Sequence, residues 1–518
     1  MISLDKARSL EDSRPQTETS RTSEAIHHSS ENAVYANEFS AGNGLYVKLQ
    51  RFAGRFGVEQ RGIERVPSDE RTDSSVAQVA TMWFSANLCV STFAVGVVSV
   101  PIFNLGFVDA ALVITFITFL GILPVCFFST LGSRFGLRQM VLSRFYFGYH
   151  GAKLGASLNI LSCIGWAAVN VIIGAQIIHA VNKNVPGWAS ILIMGGSTLV
   201  VSLFGYKVVH AYERWSALPV LVVFFVLLGQ FVSSGNFNNI PMGYGQGEVG
   251  AVLSFSAAVY GFASGWTVLA ADYTVYQPVT RSRKSIFLWT FGGLYVSLVF
   301  TQLLGAAVAT TMVHNPEFRH AYDDSHIGGL LALVLAPLGP FGSFCLIILA
   351  LATIATNTPN IYSVSLTLQI LARKTQRVPR FVWVLLSTVT YLAISIPGYD
   401  HFADMLETFL LIISYWVAIY EAVALVEHFV FRGGVRGYRP EDYTDASALP
   451  PGYAAVTAFM VGVAGAILGT SRPGFIGPIG ELCGKPGLGG DVGAGLAFGF
   501  TAVTFFALRS VEKSHFGR

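Results

Sequence analysis

Charge is what this chain has little of. Asp, Glu, Lys and Arg make up 12% of its 518 residues, where a soluble chain carries about 25%, and that deficit excludes an ordinary water-soluble fold for most of its length. Cysteine is scarce too: of five, Cys89, Cys126, Cys163 and Cys345 fall in apolar runs and Cys483 stands alone in a loop. Neither a disulfide framework nor a Cys/His zinc spacing is available. No Asn-X-Ser/Thr acceptor occurs, which removes one possible mark of a glycosylated outer loop. The N-terminal residues lack a charged stretch followed by an apolar core and a cleavage site, so no signal peptide is expected and the first apolar run itself directs insertion.

What is present is hydrophobic length. Apolar residues make up 53% and the mean hydropathy is +0.55. Runs of about 20 apolar residues mark spanning helices, and they predict an all-α integral membrane protein of twelve segments: 76 to 102, 106 to 129, 152 to 181, 188 to 206, 214 to 233, 250 to 273, 285 to 312, 340 to 371, 380 to 397, 402 to 430, 452 to 470 and 489 to 509. An even number places both termini on one side. The loops after even-numbered segments hold most of the basic residues, among them Arg138, Arg144, Lys207, Arg283, Arg377 and Arg436, while the opposite loops hold only Lys183, Arg319, Arg472 and Lys485. Positive residues mark the cytoplasmic face, so residues 1 to 75, expected to be a largely disordered tail, and the tail from 510 to 518 both lie in the cytoplasm. The net charge of +3 is explained by this topology and gives no reason to expect nucleic acid as a partner.

Transporters often contain two halves related by an inverted repeat with broken helices at matching positions. Two five-segment units, 76 to 233 and 250 to 430, would pair segment 1 with 6 and segment 3 with 8. Segment 1 carries Phe84-Ser85-Ala86-Asn87 with Ser91 and Gly96, and segment 6 carries Phe255-Ser256-Ala257-Ala258 with Gly261, Ser264 and Gly265. Such small and hydroxyl residues suit an unwound stretch lining a cavity, and they equally suit close helix packing. Segment 3 places Trp166 and Asn170 four residues apart on one face, followed by Gln176. Segment 8 carries Thr356-Asn357-Thr358-Pro359-Asn360, where the proline removes a donor and is expected to loosen the helix between two amides.

Tryptophan in a spanning helix normally sits at the headgroups, yet Trp166 and Trp266 lie in the interior of their segments. Their rings offer stacking surfaces worth about 1–3 kcal/mol per base and indifferent to which base it is. Asparagine supplies a donor pair and an acceptor, the complement of a heterocycle edge. The pattern points to a neutral, flat cargo such as a nucleobase, and the near absence of Lys and Arg inside the segments argues against phosphorylated cargo.

Several separated motifs resemble the fungal purine-cytosine permeases of the nucleobase-cation symporter family: Gly62-Ile63-Glu64-Arg65-Val66-Pro67-Ser68-Asp69-Glu70-Arg71-Thr72-Asp73, Gly136-Leu137-Arg138-Gln139-Met140 with Ser143-Arg144-Phe145, Ala270-Ala271-Asp272-Tyr273 with Tyr276 and Pro278, and Tyr415-Trp416 with Glu427-His428 and Phe431-Arg432. The resemblance runs from about residue 60 to 435. It implies a LeuT-type five-plus-five repeat with two further peripheral helices, 452 to 509, and uptake of cytosine and purines across the plasma membrane driven by protons, with no cofactor. Carried over by position, the stacking rings are Trp166 and Trp266, and the polar contacts are Ser85, Asn170 and one or both of Asn357 and Asn360, with Asn360 favoured and Pro359 shaping the segment.

The coupling ion is open at this level. Sodium would be held by hydroxyls and carbonyls between segments 1 and 8, with Thr353 and Thr356 as candidates. A proton needs an ionisable residue within a segment: Glu213, Asp272, Glu407, Glu421 or Glu427, of which Asp272 and Glu427 are expected to pair with Arg281 or Arg432. Related carriers of vitamin B6, allantoin or uracil share the resemblance. An enzyme acting on lipid is disfavoured, because His150, His179 and His210 stand singly without acidic partners. A channel is disfavoured by the lack of a repeated pore loop or charged ring.

Overall fold

The computed structural model describes residues 63–73, 75–203, 206–376 and 378–518, with the side chains of 206–215, 373, 376 and 380 excepted. The expected N-terminal tail up to residue 62 and the side chain of Glu213 lie outside the described residues.

Each of the twelve apolar segments falls in helix. They form α1 Ala77–Asn87 with α2 Val90–Val97, α3 Phe107–Phe135, α4 Arg144–Val181, α5 Gly187–Leu203 and α6 Tyr206–Ser234. The second set is α7 Gln246–Ser264, α8 Arg283–Ala309, α9 Pro316–Leu335, α10 Pro340–Leu371, α11 Arg380–Gly398 and α12 Phe402–Val426, followed by α13 Tyr453–Gly469 and α14 Gly493–Phe516. Among the described residues nine helical stretches are long and apolar enough to cross a membrane, or ten when the bent pair α1–α2 counts as one. The remaining two segments, α5 and α13, are apolar but only 17 residues long. One helix was not expected from the sequence: α9 lies between segments 7 and 8. Its kink at Ser325 and His326, where His326 adopts φ 49°, divides the apolar half from a polar one and hides the helical period.

Segments 1 and 6 depart from regular helix at matching places, each in its own way. Between α1 and α2 the chain becomes extended at Cys89 (φ −148°, ψ 166°) and turns by 56°. At the end of α7 the backbone tightens instead into a 3-10 helix, Gly265–Tyr273. Segment 8 behaves differently from expectation, since α10 runs unbroken through Pro359. Along this helix Thr358 Oγ1 donates to Ile354 O and Thr353 Oγ1 to Ala350 O, both at 2.7 Å.

Close backbone approach holds the first broken helix against α8. A Cβ on Gly96 would stand 1.9 Å from Gln302 O, one on Gly305 2.1 Å from Phe93 O, and one on Gly293 2.4 Å from Ala80 O. Small residues at such crossings substitute van der Waals packing for a hydrophobic drive that lipid does not provide. Elsewhere α4 packs along α10, with Asn159 Nδ2 donating to Thr367 Oγ1 at 3.0 Å, and Trp416 of α12 donates through Nε1 to Ser162 Oγ on α4 at 2.9 Å.

Apart from Tyr415-Trp416, whose side chains bond Thr470, Asp491 and Ser162, the quoted sequence motifs supply a network of buried polar contacts. The Arg71 guanidinium donates to Val66 O at 2.7 Å, Ser133 O at 3.0 Å and Phe135 O at 3.1 Å, closing the open carbonyls at the end of α3, and burial lowers its pKa to about 10. Gln139 donates its backbone N–H to Asp272 Oδ1 at 2.6 Å and its amide to Tyr420 Oη at 2.9 Å. Glu427 takes Arg432 at 3.1 Å and, from the far end of the chain, Arg509 at 2.9 Å. Arg509 also meets Glu512 at 3.0 Å, one turn further along α14.

Gly305→Val is expected to wedge α8 from α2 at a cost of about 1–3 kcal/mol, seen as an earlier melting midpoint in detergent and reduced surface expression. Gly292→Ala, on the same helix but with nothing within 4 Å of a new Cβ, should leave both unaffected.

Candidate functional site

The two irregular segments line one narrow cavity between them. From the break come Asn87, Cys89 and Ser91, and from the 3-10 turn Gly265 and Trp266. The α4 wall is a helical stripe, Asn159, Ser162, Trp166 and Asn170, and α10 contributes Thr356 and Asn360. No Asp, Glu, Lys or Arg is among the described lining residues.

The rings are held from behind. Trp166 meets Phe262 edge-on with centroids 5.2 Å apart and Phe409 at 4.9 Å. Trp266 rests against Trp83 at 5.5 Å and donates its indole N–H to Asn87 Oδ1 at 2.9 Å, while Asn87 Nδ2 donates to Trp83 O at 2.9 Å. The Asn87 amide therefore fastens the end of α1 to the 3-10 turn. Asn170 Oδ1 accepts from the Ser91 hydroxyl, which binds α4 to α2 and directs the remaining amide group; its Nδ2 makes no hydrogen bond among the described residues. Asn360 has only a long intrahelical contact, Nδ2 to Thr356 O at 3.4 Å.

Of the residues singled out from sequence, Trp166, Asn170, Trp266, Asn360 and Thr356 come together on this wall. Ser85, Thr353, Asn357 and Pro359 are buried but do not line it. Asn357 Oδ1 and Nδ2 are both enclosed without a hydrogen-bond partner among the described residues. The hydroxyls of Thr353 and Thr356 are directed at carbonyls of their own helix, Ala350 O and Ala352 O, at 2.7 and 3.3 Å. Among the acidic candidates, Glu427 pairs with Arg432 as expected and also with Arg509, whereas Asp272 meets the Gln139 amide with Arg138 close by. Glu407 is buried near one end of α12. Glu421 is buried and accepts from Tyr260 Oη at 2.5 Å and Thr267 Oγ1 at 2.7 Å. Sequence reasoning assigned no role to Asn87 or Asn159. Asn159 sits seven residues before Trp166, and that two-turn spacing on one face was the available signal.

A charge-free cavity between irregular helices, inside a bundle of membrane-length helices, fits a transporter. Residues 65–483 match the family model of permeases for cytosine/purines, uracil, thiamine and allantoin. The chain is 53% identical to the purine-cytosine permease FcyB of Emericella nidulans over 95% of this chain and 96% of that one. It is 38% identical to a purine-cytosine permease of Saccharomyces cerevisiae, covering 91% and 89%, and 28% identical to that organism's vitamin B6 transporter, covering 91% and 90%. Its fold matches Mhp1, a nucleobase-cation-symport-1 family transporter solved with bromovinylhydantoin bound, with a TM-score of 0.66 over 88% of this chain and 96% of that one at 14% identity. The chain belongs to the purine-cytosine permeases of the nucleobase-cation symporter family, and its architecture is the LeuT-like fold of that family.

A double-mutant cycle on Trp266→Phe and Asn87→Ala should show coupling. Each single change breaks the indole–amide bond at a cost of about 1–3 kcal/mol, so the pair together should lower the melting midpoint scarcely more than the worse single variant.

Proposed function

We propose that this chain imports cytosine and the purine bases adenine, guanine and hypoxanthine across the plasma membrane in symport with protons. Twelve crossings, two inverted five-helix units and two peripheral helices, α13 and α14, carry this function, with both termini cytoplasmic. The observation that supports the cargo is the composition of the cavity wall: two tryptophan rings, a set of asparagine amides and no charged side chain. The rings stack any flat heterocycle, and Asn170 and Asn360 read its edge, penalising analogues that leave a buried amide unmatched. Asn357 supports specificity from behind the wall, and Ser85 and Pro359 fix the shape of the segments that bear the contacts. The 53% identity to a purine-cytosine permease against 28% to a vitamin B6 transporter favours bases over pyridoxine.

Proton coupling makes the uptake concentrative. One charge crossing about 100 mV gains about 2.3 kcal/mol, enough for roughly fifty-fold accumulation of a neutral base at about 1.4 kcal/mol per decade. The Thr353 and Thr356 hydroxyls, engaged along α10, are the oxygens that a sodium-coupled carrier would recruit instead.

Uptake of radiolabelled cytosine in cells without their own nucleobase carriers tests this reading. It should saturate, be blocked by adenine, guanine and hypoxanthine but not by allantoin, uracil or pyridoxine, rise at acidic external pH and ignore sodium. Asn360→Ala should abolish it. No cytosine uptake from a chain present at the surface would overturn the cargo, and dependence on sodium would overturn the coupling ion.

A further inference from the structure

Glu421 is a carboxylate in the interior of α12, 1% exposed, and among the described residues no Lys, Arg or His hydrogen-bonds or ion-pairs with it. Its two oxygens are taken by hydroxyls from the neighbouring helix of the other broken segment, Tyr260 Oη at 2.5 Å and Thr267 Oγ1 at 2.7 Å. Two cations of the bundle are committed elsewhere: Arg509 to Glu427 at 2.9 Å and Glu512 at 3.0 Å, and Arg138 to Tyr362 Oη at 3.1 Å. Of the titratable groups on the elements packed around it, Tyr260 of α7 and Tyr420 of α12 interact with Glu421, and Asp272 of the 3-10 turn interacts in turn with Tyr420; the acids Glu248 at the start of α7, Asp404 and Glu407 at the start of α12 and Glu427 just beyond it stand at the element ends. Helix α13 carries no charged residue between Tyr453 and Gly469. A buried ion without a counter-charge costs several kcal/mol, so this site is stable only when it holds a proton or when the cavity admits water.

The position of Thr267 gives the site its meaning. It follows Trp266 directly, so the 3-10 turn Gly265–Tyr273 presents one face to the cargo cavity and a hydroxyl to Glu421. Gly261 lets that helix approach α12 closely, since a Cβ there would lie 2.2 Å from Leu410 O. One short element is thereby touched by both solutes, which is the physical requirement for coupling two binding events.

Resting on the proton-coupled reading above, we propose that Glu421 is the proton-binding site of this transporter. A hydronium ion of the outer water breaks one O–H bond and is left as water, its proton forming an O–H bond to one carboxylate oxygen; Tyr260 or Thr267 then turns from donor to acceptor. The same O–H bond breaks when the site opens to the inner water, which takes the proton. No other bond changes. The carboxylate binds the proton with the base in place on Trp266, and the neutral, hydroxyl-caged acid is the form that crosses.

The test compares the wild-type chain with Glu421→Gln in proteoliposomes, using labelled cytosine in two assays: counterflow exchange at equal pH, and accumulation under an imposed pH gradient. Glutamine keeps the cage's hydrogen bonds but takes no proton, so exchange should persist, accumulation should fall from about fifty-fold to equality, and the rate should no longer vary with pH. Glu421→Asp should restore part of the pH response, and Thr267→Val should shift its midpoint; these two carry the test if the glutamine variant fails to insert. Wild-type accumulation by Glu421→Gln would overturn the assignment while leaving proton symport intact. So would an unchanged pH midpoint in both Glu421→Asp and Thr267→Val. A wild-type chain that accumulates cytosine on sodium and not on protons would overturn the parent reading and this assignment with it.

Discussion

An interrupted helix inside a membrane is tolerable only if something polar meets the backbone groups it frees, because lipid offers none. The architecture of this permease follows from that constraint. The break at Cys89 and the tightened turn from Gly265 are placed opposite each other, and the indole–amide bond between Trp266 and Asn87 spans them. Removing either irregularity would close the cavity; leaving either facing lipid would expose unmet N–H and C=O groups. The site is therefore less a pocket carved into a bundle than the place where the bundle's backbone requirements are discharged.

The two walls solve the same problem differently. The α1–α2 side uses unwound chain and glycine contacts with α8, while α4 and α10 stay continuous and meet through side chains, Asn159 with Thr367 among them. Pro359 lies within the second kind of wall: α10 stays helical through it, and threonine hydroxyls along α10 bond carbonyls of their own helix. Polar residues in α10 are thus divided between repairing their own helix and facing the cavity, and Thr356 does both.

Much of this was readable from the chain. Segment lengths placed the helices, because hydrophobic thickness leaves little freedom, and the four-residue step from Trp166 to Asn170 put both on the wall. The unreadable parts have physical causes. Whether Asn357 or Asn360 meets the cavity depends on the rotation of α10, which an unbroken helix through Pro359 sets and a loosened one would not. Asn87 looked like part of a small-residue cluster, since its partner Trp266 lies 179 positions away. The second partner of Glu427, Arg509, is 82 residues on, beyond any local pattern. Segments of 17 residues such as α5 and α13 are apolar like the others and differ only in length.

The glycine contacts of α8 reach both halves of the broken helix, Gly293 against α1 and Gly305 against α2. A seam of backbone on backbone contains no side chains to repack, so a displacement on one side passes undiminished to the other. The chain interruption at Cys89 then does not act as a free joint: α8 splints it along its length. Shape change around the cavity then falls to the side-chain-lined seam that faces α4 and α10, where rotamers can exchange partners and where Trp166, Asn170 and Asn360 stand.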